Sequence, residues 1–292
     1  MTAEAGLPNE RAGGTTAVSS ESLRRKRDSV RPSKRPGALK KEAGDLTRRL
    51  KLIIAYDGAL FRGWQSQAGG ETIQDRIESA FENVAGEKIR VHGAGRTDAG
   101  VHALGQCAHA DVPAAKLAPE IWANALNASL PPQIRIVQCR FVPRTFHARF
   151  ASRGKIYRYR IATGPVLLPF ELGRAWHVVR ELDEKALRGC ANAFVGTHDF
   201  AGFAANRGKA PESTERTIRK VRIRRSAAAI VLEFDGNGFL YKMVRLMVGA
   251  IVRCGLGKET VAEVRARLRN PVRDNARLVA PAGGLTLVRV RY

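Results

Sequence analysis

The sequence predicts an α+β protein made of two similar halves. They would share one continuous, mixed and mainly antiparallel sheet, with helices packed outside and a basic cleft at its centre. Two observations carry this prediction. Segments with period-two hydrophobic alternation and segments with helical spacing follow each other in a similar order in both halves of the 292 residues. The net charge of +23 stays strongly positive when the N-terminal tail is left out, which places basic groups on the folded part.

Residues 1–49 are predicted to be a disordered basic extension. They are rich in Gly, Ser, Pro, Lys and Arg and show no hydrophobic periodicity. The cluster Arg24-Arg25-Lys26-Arg27 either adds weak attraction to phosphates or is simply solvated.

The first half, residues 50–149, is predicted to be a ferredoxin-like α/β domain. Alternation over residues 50–55 indicates a strand, and apolar residues at helical spacing over 73–84 indicate a helix between the cap Thr72 and the stop Gly86. Further predicted elements are strands at 88–92, 106–112 and 134–142 and a helix over 119–130. The resulting order of strand, helix, strand, strand, helix, strand is that of a split βαβ unit.

The second half, residues 150–292, repeats this pattern. Strands are predicted at 155–161, 217–225, 228–235 and 285–292, and helices at 183–195, from about residue 240, and at 260–269 before Pro271. The similar order predicts a second α/β domain related to the first by a pseudo-twofold axis.

The charge points to a polyanionic partner. The chain has 50 Lys and Arg against 27 Asp and Glu, and residues 1–49 account for only +6 of the +23. The remaining +17 belongs to the folded part, which favours nucleic acid as the partner. A basic surface that serves only solubility is the alternative.

Cysteine and histidine spacing argues against disulfides and metals. The four cysteines include no C-x-x-C pair and the six histidines no H-E-x-x-H motif, so no metal site is expected and a reducing cytoplasm fits. No secretory signal or membrane span is visible. The most apolar stretch, residues 239–252, is short and contains Lys242 and Arg245.

The stretch from Gly95 to Ala103 is the principal candidate for a catalytic loop. It places Arg96 and Asp98 among glycines, which suits a loop that approaches a ligand closely. The alternative is that Asp98 or Thr97 only caps a following helix.

Arg245 interrupts the apolar helix predicted near residue 240. A buried guanidinium is costly unless an acceptor meets it, and Asp98 is a good candidate. A neighbouring positive charge favours the ionised carboxylate, so the pair would hold Asp98 as an aimed anion. Alternatively, Arg245 extends along the helix to reach solvent.

Aromatic and basic residues alternate just after the middle of the chain. Lys155 and Tyr157 share one face of the predicted strand 155–161. A tyrosine there is ordinarily a core residue, yet an aromatic face is also what a flipped base would stack on. Upstream, His147 and Arg149 alternate with aromatic residues as on RNA-binding surfaces.

Seven motifs together make this chain resemble the tRNA pseudouridine synthase A family, also called the TruA family. They are Tyr56-Asp57-Gly58 with Gly63-Trp64-Gln65, residues 95–102, residues 146–150, Tyr157-Arg158-Tyr159, residues 196–200, Met243-Val244-Arg245 with Gly249, and residues 284–292. The resemblance covers residues 50–292, and the basic N-terminal extension departs from it.

The resemblance implies a role for each candidate residue. Asp98 matches the catalytic aspartate, Tyr157 the tyrosine that stacks on the target uracil, Arg245 the arginine paired with the aspartate, and Arg96 the residue that helps extrude the base. It further implies a homodimer without cofactor or metal that isomerises uridines at positions 38–40, in the anticodon stem-loop of tRNA.

The implied reaction breaks the N1–C1′ bond of uridine, turns the uracil and rejoins it through C5. Asp98 would start it either by covalent attack or by taking a ribose proton. His102 is expected to be structural. Two rival functions remain: a non-catalytic protein that binds structured RNA, and a metal-dependent nuclease that uses Asp98 with Asp111 or Asp199.

Overall fold

A computed structural model of the chain describes residues 47–114, 116–205, 213–271 and 278–292. Within these ranges ten strands form a single mixed sheet, accompanied by five α-helices. The α+β class is therefore confirmed. The first strand already begins at Thr47, so residues 47–49 belong to the sheet and not to the N-terminal extension; the rest of that predicted extension lies outside the described residues.

The first half has the predicted order of elements. Strands β1 (Thr47–Tyr56), β2 (His92–Gly93), β3 (His102–Pro113) and β4 (Ile134–Val142) accompany helices α1 (Ile73–Ala85) and α2 (Pro119–Ser129). The local signals for α1 work as expected. Thr72 makes a reciprocal capping box with Asp75, and Gly86 ends the helix in a left-handed conformation with φ 75°. The strands lie side by side in the order β4, β1, β3, β2.

The strand predicted over residues 88–92 is wrong in extent. Only His92 and Gly93 pair, opposite His109 and Ala108 of β3. The Val91 N–H instead donates to the Glu78 carboxylate on α1 at 2.9 Å. Because a side chain takes this backbone group, residues 88–91 are not part of the sheet.

The second half contains β5 (Gly154–Thr163), β6 (Trp176–Val178), α3 (Glu184–Ala193), β7 (Gly196–Asp199), β8 (Glu215–Arg225), β9 (Ala229–Gly236), α4 (Met243–Gly255), α5 (Val261–Arg269) and β10 (Leu285–Arg291). The predicted strands and helices are all present, with the second helix beginning at Met243. The short strands β6 and β7 were not predicted. Here the neighbour order is β10, β5, β9, β8, β7.

Strands β3 and β10 join the two halves into one sheet. They run parallel and pair at His102 with Thr286 and at Ala103 with Leu287. The other main contacts between neighbouring strands are antiparallel, apart from β5 with β6. This junction lies directly after the residue 95–101 loop, so the candidate site is at the seam between the halves.

The core is continuous across that seam. Fully buried aromatic side chains from both halves belong to it, among them Trp64, Trp122, Tyr159 and Phe234. All four cysteines are buried and form no disulfide in the structure. In the described part of the chain no helix has both the length and the apolar character needed to cross a membrane.

Candidate active site

The residue 95–101 loop is held in place by hydrogen bonds on both sides. The Gln106 side-chain amide donates to the Gly95 carbonyl at 2.9 Å, and the Trp64 N–H donates to the Thr97 carbonyl at 3.1 Å. The hydroxyls of Tyr56 and Thr97 are 2.8 Å apart in the buried interior. Strand β3 follows the loop, so neither Thr97 nor Asp98 caps a helix at this point.

Asp98 and Arg245 form the contact expected from the sequence. Arg245 Nη1 lies 3.0 Å from Asp98 Oδ2, and its Nε donates to the Ala280 carbonyl at 2.7 Å. The two side chains are only 14% (Arg245) and 20% (Asp98) exposed. Two acceptors on different segments therefore fix the guanidinium plane, and the alternative in which Arg245 extends to solvent is excluded.

Arg245 reaches the loop from the first turn of α4. Its own main chain also contacts the returning segment, since its carbonyl accepts the Ala280 N–H at 3.2 Å. A Cβ added at Gly249, one turn further on, would lie 2.0 Å from the Leu278 carbonyl oxygen. Close packing of α4 on residues 278–280 thus requires glycine at position 249 and sets the position of Arg245.

Tyr157 lies on β5 beside the Asp98–Arg245 pair. Its ring is 8% exposed and meets Phe239 edge-on, with ring centroids 5.0 Å apart. The phenol makes no hydrogen bond to any residue that the structure describes. Burial raises its pKa well above the usual range, and Tyr56 and Asp98 raise it further. Tyr157 is therefore a neutral phenol at physiological pH, with a hydroxyl that can donate a hydrogen bond.

The remaining candidate residues lie around the loop in two groups. Arg96 is exposed, and its Nε donates to the Gln65 side chain at 3.1 Å. Lys155, on β5, donates from Nζ to the Ala94 carbonyl at 3.1 Å. Arg96 therefore contacts the segment next to Trp64, and Lys155 contacts the start of the loop that carries Asp98.

His147 and Arg149 belong to an aromatic cluster next to β2. The His147 ring is 4.6 Å from that of His109 and 4.4 Å from that of Phe150, measured between centroids. The Arg149 guanidinium lies over the Phe150 ring, which is 76% exposed. The structure therefore places these two residues on a solvent-facing aromatic and basic surface but gives them no direct contact with Asp98.

His102 has the structural role expected for it. Its Nδ1 lies 3.1 Å from both the Gly58 main-chain nitrogen and Asp57 Oδ1, and its Nε2 donates to the Gly173 carbonyl at 2.9 Å. The imidazole joins the turn after β1, the start of β3 and the segment between β5 and β6.

Four features of the site could not be read from the sequence. They are the Tyr56 hydroxyl on Thr97, the Ala280 carbonyl on Arg245, the Phe239 ring on Tyr157 and the Gly173 carbonyl on His102. The motif Tyr56-Asp57-Gly58 marks Tyr56 as a residue of interest, but the sequence does not indicate that its hydroxyl contacts Thr97. The other three depend on how loops distant in sequence pack.

The acids considered for a metal-dependent reaction each have their own partners. Asp111 accepts two hydrogen bonds from Arg49 at 2.8 Å, and Asp199 accepts the Ala201 N–H at 2.8 Å. Within the described ranges no group of three or more His, Cys, Asp or Glu side chains is placed to hold a metal ion.

Comparison with known proteins supports one family. A family profile described as tRNA pseudouridine synthase matches residues 52–151 and 190–292. Proteins named tRNA pseudouridine synthase A from Akkermansia muciniphila and Solidesulfovibrio magneticus are each 45% identical over 251 residues, covering 84% of this chain and 95% and 91% of theirs. The protein of that name from Methylacidiphilum infernorum is 42% identical over 242 residues, covering 83% of this chain and 94% of its own.

Proposed function

This chain belongs to the tRNA pseudouridine synthase family, whose members are isomerases, and we propose that it converts uridine to pseudouridine at positions 38–40 in the anticodon stem-loop of tRNA. The observation that carries a catalytic function is the ion pair between Asp98 and Arg245 beside Tyr157. The choice of the anticodon stem-loop rests on the resemblance in the ordered motifs.

The target uridine must first leave its base stack, because its reacting atoms are inaccessible within a duplex. Arg96, exposed beside the loop, would help to extrude the base, and the Tyr157 ring would stack on the uracil. Stacking of a base on an aromatic side chain contributes about 1–3 kcal/mol, which offsets the few kcal/mol that extrusion costs.

Asp98 then begins the reaction as an anion. It either attacks C1′ while the N1–C1′ bond breaks, or removes a ribose proton to release the uracil. Arg245 supports both routes, since its guanidinium is fixed by the Ala280 carbonyl and holds the Asp98 carboxylate in place. The freed uracil turns, and C5 bonds to C1′.

The C5 proton must afterwards leave and N1 must gain one, so the overall change is an isomerisation without net proton loss. Tyr157 is our candidate for this transfer: its phenol would give its proton to N1 and, as the phenolate, would take the C5 proton, so that the residue ends unchanged. A water molecule is the alternative carrier.

RNA would dock on a basic cleft at the seam between two halves related by a pseudo-twofold axis. The strand orders support this symmetry when the short strands β6 and β7 are left out. Numbered in chain order within each half, the strand neighbours then run fourth, first, third, second, as β4, β1, β3, β2 and as β10, β5, β9, β8. The RNA-facing side chains that we propose are Arg96, His147, Arg149 and Lys155. The boundary between the halves near residue 149 is part of the same proposal.

We further propose that the protein acts as a homodimer in the cytoplasm. The segment between β5 and β6 exposes Val166, Leu168, Phe170 and Leu172, with Phe170 88% exposed. A cluster of this kind is typical of a contact between subunits. Replacing Phe170 and Leu172 by Asp is expected to halve the mass measured by light scattering. Unpaired buried cysteines suit a reducing compartment.

The function is tested by incubating the purified protein with an unmodified tRNA transcript and mapping pseudouridine. Product in the anticodon stem-loop, lost in Asp98→Asn with tRNA binding retained, is the expected result. Product elsewhere in the tRNA would refute the assigned position. Binding without product would favour the non-catalytic RNA-binding alternative, and a strict requirement for a divalent metal would favour the nuclease.

A further inference from the structure

Lys155 links the two segments that carry the proposed catalytic groups. It lies two residues before Tyr157 on β5, and its Nζ donates to the Ala94 carbonyl at 3.1 Å. A Cβ added at Gly95 would lie 2.4 Å from this ammonium, so glycine at that position lets the lysine pack against the loop. The ammonium therefore contacts the loop only a few residues before Asp98.

The charged groups that act on Lys155 are all positive. Burial, together with repulsion from Arg149 and Arg216, lowers its pKa to about 8. In the part of the chain that the structure describes, no carboxylate lies within ion-pair distance of Lys155. Its one hydrogen-bond acceptor there is an uncharged carbonyl.

Arg149 and Arg216 also lack carboxylate partners among the described residues. The Arg149 guanidinium lies over the Phe150 ring, 5.6 Å from its centroid. Arg216 donates to the main-chain carbonyls of Ser213 and Glu215, and burial lowers its pKa. Its guanidinium lies beside Gly238. This glycine is two residues after Gly236, which pairs with Lys155 between β5 and β9.

Several other arginines on the same sheet have a carboxylate partner within the protein. Examples are the pairs Arg49–Asp111, Arg158–Glu233, Arg160–Glu171 and Arg219–Asp235. Lys155, Arg149 and Arg216 have no such partner among the described residues and are available to an anion from outside the chain. Two guanidinium groups that repel the Lys155 ammonium are costly to hold near it, and a bound phosphate would offset that repulsion.

We propose that Lys155, Arg149 and Arg216 form a subsite for one backbone phosphate of the substrate RNA, close to the nucleotide that is extruded. This inference rests on the proposed function, since it takes RNA as the substrate. Arginine provides planar, paired donors for phosphate oxygens and lysine a compact charge, so the three together suit a phosphodiester. The competing role for Lys155 is purely to support the loop through the Ala94 carbonyl.

Phosphate binding must be linked to the protonation of Lys155. In free protein its pKa is about 8, and a nearby phosphate raises that pKa. Binding therefore takes up a proton as the pH rises above about 8, and the affinity for RNA falls in that range. The fall reaches at most about tenfold per pH unit for one proton.

The test measures the dissociation constant of an unmodified tRNA transcript at pH 7–9 and over a range of salt concentrations. All proteins carry Asp98→Asn to prevent turnover. Lys155→Gln keeps a hydrogen-bond donor for the Ala94 carbonyl but removes the charge. We expect it to weaken binding about tenfold at pH 7, to lower the salt slope by about one and to abolish the decline above pH 8.

Three further variants sharpen the result. Lys155→Arg stays charged, so it should bind as the parent does at pH 7 without the decline above pH 8. Arg216→Met removes a repelling charge and should move the decline to higher pH while also lowering the salt slope. Lys185→Met, which removes an exposed charge on α3, should leave the pH profile unchanged.

The inference is overturned if two results are found together. Lys155→Gln binds tRNA with the same salt slope and pH profile as the parent, and the protein that keeps Asp98 forms pseudouridine. Loss of turnover in Lys155→Gln with unchanged affinity would also overturn it, because that result assigns Lys155 to loop support alone. Failure of the unmodified protein to form pseudouridine would instead count against the proposed function. Thermal unfolding of each variant verifies that it is folded.

Discussion

Arg245 on α4 and Asp98 on the loop before β3 lie 147 residues apart in the sequence and 3.0 Å apart in space. This contact ties the second half of the chain to the first at the seam where β3 meets β10. The site thus depends on the correct docking of the two halves. Substitutions that shift α4 should affect catalysis even when they lie far from the substrate.

Arg245→Lys is expected to lower kcat by about 10²-fold or more. A lysine has a single nitrogen in place of the separate, coplanar Nε and Nη1 donors that reach the Ala280 carbonyl and the Asp98 carboxylate. The two hydrogen bonds are worth about 3 kcal/mol together. The measurement is single-turnover conversion of tRNA with excess enzyme. Arg253→Lys is the matched control on the same helix, since Arg253 pairs with Glu259 instead. Equal loss in both variants would contradict a specific role for Arg245.

Tyr157→Phe separates stacking from proton transfer. The variant keeps the ring that meets Phe239 but removes the hydroxyl, which has no hydrogen-bond partner among the described residues, so the affinity for tRNA should stay the same. If the phenol carries the C5 proton, kcat should fall by about 10²–10⁴-fold. Tyr157→Leu should in addition weaken binding, because the stacking surface is lost. Full activity of Tyr157→Phe would assign the proton transfer to water.

Secondary structure followed from the sequence wherever its cause is local. The capping box at Thr72 and the left-handed Gly86 delimit α1, and a second capping box at Thr260 begins α5. Strand β4 also has the predicted bounds. In each case residues within a few positions of one another determine the start or end of the element.

Elements that depend on distant partners were missed or misjudged. Strand β6 exists only through its pairing with β5, and β7 only through its pairing with β8. Residues 88–91 have an apolar pattern that suits a strand, but the Glu78 carboxylate captures the Val91 N–H. No local pattern indicates that competition.

Site residues could be predicted from the sequence where a charged side chain falls in an apolar segment and therefore needs a partner. Arg245 in an apolar helix demanded an acceptor, which led to Asp98. Arg216 gave no such signal, because it is one of many arginines on a strand. Its place near Lys155 and its lack of a carboxylate partner among the described residues are visible only in the structure.

Gly249→Ala should destabilise the protein and reduce turnover together. Its Cβ would lie 2.0 Å from the Leu278 main-chain oxygen, so α4 or residues 278–280 must move, and with them the bonds of Arg245. Overpacking of this kind costs about 1–3 kcal/mol or more, which lowers Tm by roughly 5–10 °C.

Gly189→Ala provides the control for helix propensity. This glycine lies on α3, and its added Cβ would meet only the Val261 Cγ2 methyl at 3.2 Å, which a small shift of the side chain can relieve. Alanine is favoured over glycine in a helix by about 1 kcal/mol, which offsets the small cost of moving the Val261 side chain. We therefore expect little change in Tm and none in kcat. A similar loss of turnover in both variants would argue against the close approach at Gly249.

Stability should fall with acid because of His109. Its buried Nδ1 accepts the Ala148 N–H, and burial, aided by Arg49, His147 and His92, lowers the pKa of His109 to about 4. In the unfolded chain that pKa is about 6.5. Between these values the unfolded state binds more protons, so the stabilisation is complete above about pH 6.5 and is lost as the pH falls towards 4.

The expected size of the effect is about 2 kcal/mol of unfolding free energy between pH 7 and pH 5. His109→Asn tests the assignment, because its side-chain oxygen can accept the Ala148 N–H but does not titrate in this range. Urea unfolding at pH 7, 6 and 5 should show a shallower loss of stability in the variant than in the parent. An unchanged dependence would assign the acid sensitivity to other groups, of which His147, whose pKa is also lowered by burial and by His92, is the first to examine.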